Sequence, residues 1–239
     1  MLYRAASILS EAFSHDPFER RVKVTYAFTK ELLSLVAERG KALTTRTRAA
    51  PGATRDSLAL RSALPATATS QPVTFEVLTR TGDSLRTQPG VPRGLRRTGE
   101  LRTRMMPVFD HFVPTLSRQL PLEYVLWTDS SVIALLRLHG IRVDTADAQP
   151  AMLEAFAVDS LVRSPRAFQG HHELRVWGRW AESLVPRPKL LIVRTSQPLG
   201  RLAAYLLDPE SDDSFFTWNL FDATLSRQRL FPVLRRSAP

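Results

Sequence analysis

Residues 5–22 read Ala5-Ala6-Ser7-Ile8-Leu9-Ser10-Glu11-Ala12-Phe13-Ser14-His15-Asp16-Pro17-Phe18-Glu19-Arg20-Arg21-Val22, and their texture changes part-way along. The apolar run at 5–14, broken by one acid, predicts a buried strand ending in a loop. Asp16-Pro17-Phe18-Glu19 then has helix-start chemistry. Asp16 suits a cap, Pro17 the first helical position, and Glu19 the position that closes a capping box. Downstream, Val22, Tyr26, Leu33 and Val36 recur at helical spacing, with Phe28, Leu32 and Leu35 widening the stripe. Arg39 and Gly40 supply a basic last turn and a terminating glycine, which predicts a helix over 17–38.

Beyond this helix, residues 41–71 are rich in Ala, Thr, Arg, Ser and Pro without periodicity, and they read as a basic linker. Alternation returns at Val73-Thr74-Phe75-Glu76-Val77-Leu78, followed by a turn at Thr81-Gly82-Asp83. Further strands are expected at 105–113, 123–127, 154–162, 172–178 and 189–194. Residues 130–139 read as a helix stopped by Gly140, with a strand at 141–143, together a βαβ-like unit. A short helix is expected over 199–207. The whole is an α+β chain in three parts: 1–40, a linker at 41–71, and a mixed, strand-rich domain at 72–239.

Composition narrows the function. Of the 239 residues, 44% are hydrophobic and 23% charged, enough for one sizeable core or two small ones. The absence of cysteine excludes disulfides, thiol nucleophiles and zinc–cysteine clusters. No stretch approaches the roughly 18 apolar residues of a membrane span. The N-terminus lacks a signal-peptide pattern, which leaves the compartment open. The net charge of +10 is concentrated at 41–104, where twelve Lys or Arg face four acids. No aromatics interleave with these arginines and no basic helix face is evident, so a solvated basic segment is expected rather than a nucleic-acid partner.

Of the five histidines, none has an acid three residues later, and His-Glu-x-x-His is missing. His171-His172-Glu173 is the nearest to a cluster, but neighbours on a strand point to opposite faces. Gly-x-Ser-x-Gly, the P-loop and Gly-x-Gly-x-x-Gly are also missing. Asp208-Pro209-Glu210-Ser211-Asp212-Asp213 lacks EF-hand spacing and reads as a solvated loop. Glu11 stands out as an acid in an apolar run. It reads either as an edge-strand glutamate reaching solvent, which spacing favours, or as a general base in a partly desolvated site.

The run Ile8 to Val22 resembles the end of the catalytic domain of bacterial zinc carboxypeptidases of the carboxypeptidase A-like superfamily, where a Ser-Glu-Ala-aromatic-Ser strand leads into the closing helix. Several later stretches resemble the C-terminal extension of members of that group: Thr98 to Thr103, Met106 to Asp110, Phe168 to His171, Gln197 to Ala203, Leu207 to Asp213 and Thr217 to Asp222. The resemblance implies a complete enzyme that cleaves peptides at the C-terminus, with zinc held by two histidines and a glutamate. Glu11 would take the proton from water and pass it to the leaving amine. In that family the metal ligands precede the glutamate strand, so this chain alone is expected to bind no zinc and to be inactive. Residues 1–40 are expected to expose an apolar patch where a missing catalytic domain would contact them. The alternative is a stand-alone accessory or binding module built on 72–239.

Overall fold

The computed structural model describes residues 7–49, 57–82, 89–126, 130–147, 152–183, 189–225 and 231–237. The chain is of mixed α+β class and divides into two compact units. One contains the described residues of 57–63 and 112–237, the other those of 7–49 and 64–111.

The first unit is organised by a six-stranded antiparallel sheet, in the order β6-β9-β5-β10-β7-β8. Its strands are β5 (Glu123–Leu126), β6 (Asp144–Asp147), β7 (Leu153–Arg163), β8 (Leu174–Ser183), β9 (Lys189–Arg194) and β10 (Val233–Arg236). The last strand of the chain lies inside the sheet, pairing β5 on one side and β7 on the other. Two directly opposed cross-strand pairs carry opposite charges there. Arg235 Nε lies 2.8 Å from Glu154, and Arg236 Nε lies 3.0 Å from Glu123. Arg235 also stacks over Trp180, 4.4 Å from the ring centre. Burial opposes ionisation of Glu154, but hydrogen bonds from Arg235 and Ser237 outweigh it and lower the carboxyl's pKa.

Helix α2 (Ser130–Leu138) ends as its sequence predicts. Gly140 has φ +79° and donates to Arg137 O, while Ile141 N–H donates to Leu136 O. These are the two bonds of a Schellman stop, and Leu136 and Ile141 are both buried beneath it. Residues 141–143 are not a strand; pairing begins at Asp144, three residues later than expected. The strands flanking α2, β5 and β6, are each antiparallel to β9 and lie on its two sides, so the β-α-β unit is split by a later strand. At the start of α3 (Gly200–Leu207), a Cβ on Gly200 would lie 1.8 Å from Thr195 O, so only glycine lets the helix begin against that carbonyl.

Segment 41–71, expected as a linker, differs in its described parts. Residues 41–49 continue the first helix, and β1 (Ser57–Ala63) is a strand paired antiparallel with β4 (Val113–Gln119). Leu58 and Leu60 of β1 are buried in the core of this unit. The ladder closes on the pair Ala63 and Val113. An aromatic cluster fills the core, with Phe231 5.4–6.0 Å from the rings of Phe216, Phe221 and Phe156, and Phe156 edge-on to Trp180. A four-residue helix, α4 (Asp222–Leu225), follows Phe221.

The second unit holds helix α1 (Phe18–Ala49) and the hairpin of β2 (Ser70–Arg80) and β3 (Leu95–Pro107). The apolar run before α1 is not the expected strand: residues 7–13 have no regular structure. A turn, Asp16 N–H to Phe13 O, leads into the helix. Asp16 and Glu19 act in its first turn as ion-pair partners of Arg20 (3.4 Å) and Lys23 (2.6 Å), each four residues on. The helix passes through Gly40, whose interior cost of about 1 kcal/mol is small beside a full turn's hydrogen bonds. Thr45 and Thr47 hydroxyls bond back to Lys41 and Thr44 carbonyls. In the hairpin, a bulge separates Glu76 from Leu78, and Glu76 accepts from Arg97 Nε and from Gly99 N–H at 2.9 Å. Asp83 and residue 127, parts of two expected elements, lie outside the described residues, as do 50–56.

Removing the central ring by Phe231→Ala is expected to destabilise the first unit by about 3–5 kcal/mol, read by urea unfolding through Trp180 fluorescence. A loss under 1 kcal/mol would show that the aromatic cluster does not govern this core.

Candidate functional site

Two regions bear on chemistry, one in each unit. Glu11 lies in the irregular stretch before α1 rather than on the expected edge strand, and it is exposed. Beside it, Phe13 meets the His15 ring edge-on at 5.2 Å, and Gly90 N–H donates to His15 O at 2.8 Å. Ala12 then borders an open groove of about 530 Å³ along α1, walled by Phe18, Arg21, Val22 and Tyr26. A second hollow of about 380 Å³ continues past Tyr26 to Leu33 and Ala37. The groove has apolar walls and no cover: Leu9 is 81% exposed, Phe18 73%, Tyr26 70% and Leu33 65%. Within its own unit, no other element packs extensively along the described length of α1.

Among the described residues, no group of three or more His, Asp or Glu side chains converges as a metal site would require. The described donors around Glu11 do not by themselves make a zinc site. His171 and His172 are exposed and serve the β7–β8 turn instead. Phe168 and His171 pair through their backbones, and His172 Nδ1 lies 2.8 Å from Ser164 O. Asn219 clamps the same turn, accepting from His172 N–H and donating to its carbonyl.

The second region overturns the solvated-loop reading of 208–213. Asp208, Glu210, Ser211 and Ser214 are 0–3% exposed; Asp212 and Asp213 alone in this run face solvent. Asp208 Oδ1 accepts the Glu210 N–H at 3.0 Å, an Asx turn that the Asp-Pro-Glu order favours. The Glu210 carboxylate takes Arg118 of β4 at 2.6 and 3.1 Å, while its carbonyl accepts Arg61 Nε of β1 at 2.8 Å. Arg61 also donates to Val176 O on the edge strand β8 and stacks over Trp177. Asp212 holds β1 twice, by its N–H to Leu60 O (2.9 Å) and by its carboxylate from Ser62 N–H (3.0 Å). Further along, Thr217 donates its hydroxyl to Ser211 O, and its carbonyl accepts the Leu174 N–H of β8. This strap thus sews β1, β4 and β8 together.

Below it, Tyr124 of β5 is buried with its hydroxyl 3.5 Å from Asp208 Oδ2. Burial, with the charge of Asp208 second, pushes the phenol well above its ordinary pKa. Burial likewise raises Asp208 to about 6, aided by the negative Glu210 and opposed by the Glu210 N–H, Arg235 and Arg118. Sequence reasoning missed the strap because its partners are remote: Arg118 precedes Glu210 by 92 positions. The one local signal was the aromatic run Phe215-Phe216-Thr217-Trp218 directly after the acids, which ties the segment to a core.

Comparison with protein-family models, curated proteins and solved structures finds no match to the chain.

Arg118→Ala strands the Glu210 carboxylate in the interior and is expected to cost about 3 kcal/mol, with Glu210→Gln in the same chain restoring at least half of it in chemical denaturation. Glu11→Gln should move stability by less than about 0.5 kcal/mol, as at an exposed position.

Proposed function

We propose that this chain is the C-terminal part of a zinc metallocarboxypeptidase, with residues 8–36 seated in the enzyme's catalytic domain and the first unit serving as an accessory domain. The observation that carries the reading is the uncovered apolar surface of α1. At 100° per residue, Phe18, Val22, Tyr26, Leu33 and Val36 fill one sector, and Val24, Phe28 and Leu35 fill a second, with Leu32 joining them. The two sectors together span roughly 200° of the circumference, with Arg21, Arg39, Thr25 and Thr29 set among them, and lysines and acids occupy most of the rest. A helix at the surface of its own domain needs about half that arc; one this wide belongs between two covering layers. Phe18, Tyr26, Leu33, Leu9 and Phe13 are all more than half exposed, each giving up about 1.5–3 kcal/mol that burial would return.

The Ser10-Glu11-Ala12-Phe13-Ser14 run immediately before that helix supports the same assignment. Zinc and peptide substrate belong to the complete enzyme, with the metal held by residues outside this chain. There Glu11 would accept a proton from water and return it to the leaving amine, a task that suits a carboxylate brought out of solvent. By itself the chain cleaves no peptide.

A second reading, a stand-alone binding module, is favoured by the closed core of the first unit, which buries Leu58, Tyr124, Phe156, Val193 and Phe231 among that unit's own residues. One experiment separates the two. Joining the residues encoded in frame upstream of Met1 to this chain should give a carboxypeptidase that chelators silence and that Glu11→Gln slows about 10²–10⁴-fold. Full activity in the Glu11→Gln protein, or an upstream frame without His-x-x-Glu, would refute the metallopeptidase reading. Saturable peptide binding by the present chain would support the module.

A further inference from the structure

The proposed function leaves unused a buried carboxylate, Asp208, at the root of the strap. Among the described residues, its surroundings lack a free counter-charge. From β4, Arg118 faces it but is engaged with Glu210. From β10, Arg235 faces it but is engaged with Glu154 of β7 at 2.8 and 3.4 Å. From β5 comes the neutral Tyr124 hydroxyl, at 3.5 Å. From β1, Arg61 reaches the Glu210 carbonyl and the Val176 carbonyl. On its own segment, Asp208 sits beside the negative Glu210, and among the described residues its one short contact is the Glu210 N–H at 3.0 Å. The residue is 1% exposed, so its carboxyl is cut off from bulk water.

An uncharged carboxyl is tolerable in such a place, whereas a carboxylate there has lost its hydration and lies next to a like charge. The hydrogen bonds that fasten β1 and β4 begin two residues later, on Glu210 and Asp212. Strain at residue 208 is thus delivered directly to the fastening.

We propose that residues 208–212 form a pH-sensitive clasp, closed while Asp208 is protonated and loosened when it ionises, which sets how firmly β1 and β4 are held in their unit. When the clasp opens, Asp208 reaches water and regains the ordinary carboxyl value of 3.8; closed, burial holds it at about 6. The closed form therefore binds the proton more tightly. Its added stability is complete below pH 3.8 and disappears as pH rises through 6. Integrated over this window, the opening constant rises about tenfold between pH 5 and 7.5 and levels off above that.

Amide hydrogen exchange on the full chain tests this. After correction for intrinsic rates, the Ser62 and Asp212 amides should lose about tenfold in protection from pH 5 to 7.5. The Val125 and Val193 amides in the sheet should stay constant. In Asp208→Asn, Ser62 and Asp212 should become insensitive to pH. Protection that is flat in the unmodified protein, or that falls equally at Val125 and Val193, overturns the proposal. Should the variant fail to fold, NMR titration of the Asp208 carboxyl carbon in the unmodified chain decides the matter. A midpoint near 6 supports the clasp, and one near 4 sinks it.

Discussion

Glu210 carries a full charge at a position almost closed to water, and the cost of placing it there organises much of the first unit. A buried carboxylate is tolerable only with a cation and hydrogen-bond donors in position. The chain meets this demand by bringing Arg118 from β4, and it binds the same residue's carbonyl to Arg61 from β1. Neither strand belongs to the six-stranded sheet. Their attachment rests on Leu58, Leu60 and Leu120 entering the core and on the polar strap that locks over them. The apolar contacts supply most of the energy, while the ionic contacts select one arrangement among many that would bury the same leucines.

The two units solve the problem of covering apolar surface differently. In the first, sheet, helices and aromatic loop close on one another, and the large side chains between them are almost all sealed from solvent. In the second, a helix of about 48 Å and a two-stranded hairpin each leave their apolar groups facing out. A lone hairpin is marginal in water, and most of a helix's stability in proteins comes from the face it packs. The sequence of the second unit is thus written for more contact than its described residues supply, and the proposed function attributes that shortfall to a covering domain.

Local chemistry made some elements legible. The stop at Gly140, the limits of β9 and the span of α3 follow from turn residues and periodicity within a few positions. Elements decided at long range were opaque. Ser57 to Ala63 has no strand alternation strong enough to stand out, and it becomes a strand because β4, more than fifty residues away, offers it a ladder. Asp208 to Asp213 looks like solvent-facing sequence because its arginines are elsewhere in the chain. The run at 5–14 failed in the opposite way. Its composition suits a buried strand, yet residues 7–13 meet no neighbouring strand to pair with. Glu11 was visible as an oddity in that run, and helical spacing already aligned Val22 and Tyr26, which wall the groove beside it.

The pairing of Ala63 with Val113 at the mouth of the β1–β4 ladder has a topological corollary. The chain leaves its host unit after Ala63 and re-enters it at Phe112, at a doorway whose posts, Ala63 and Val113, are neighbours in space. For such an excursion the entropy of closure grows only logarithmically, about 0.6 kcal/mol per doubling of length. Evolution can therefore lengthen, trim or exchange that passage almost without penalty to the host, much as a side room is remodelled without touching the walls that carry the roof.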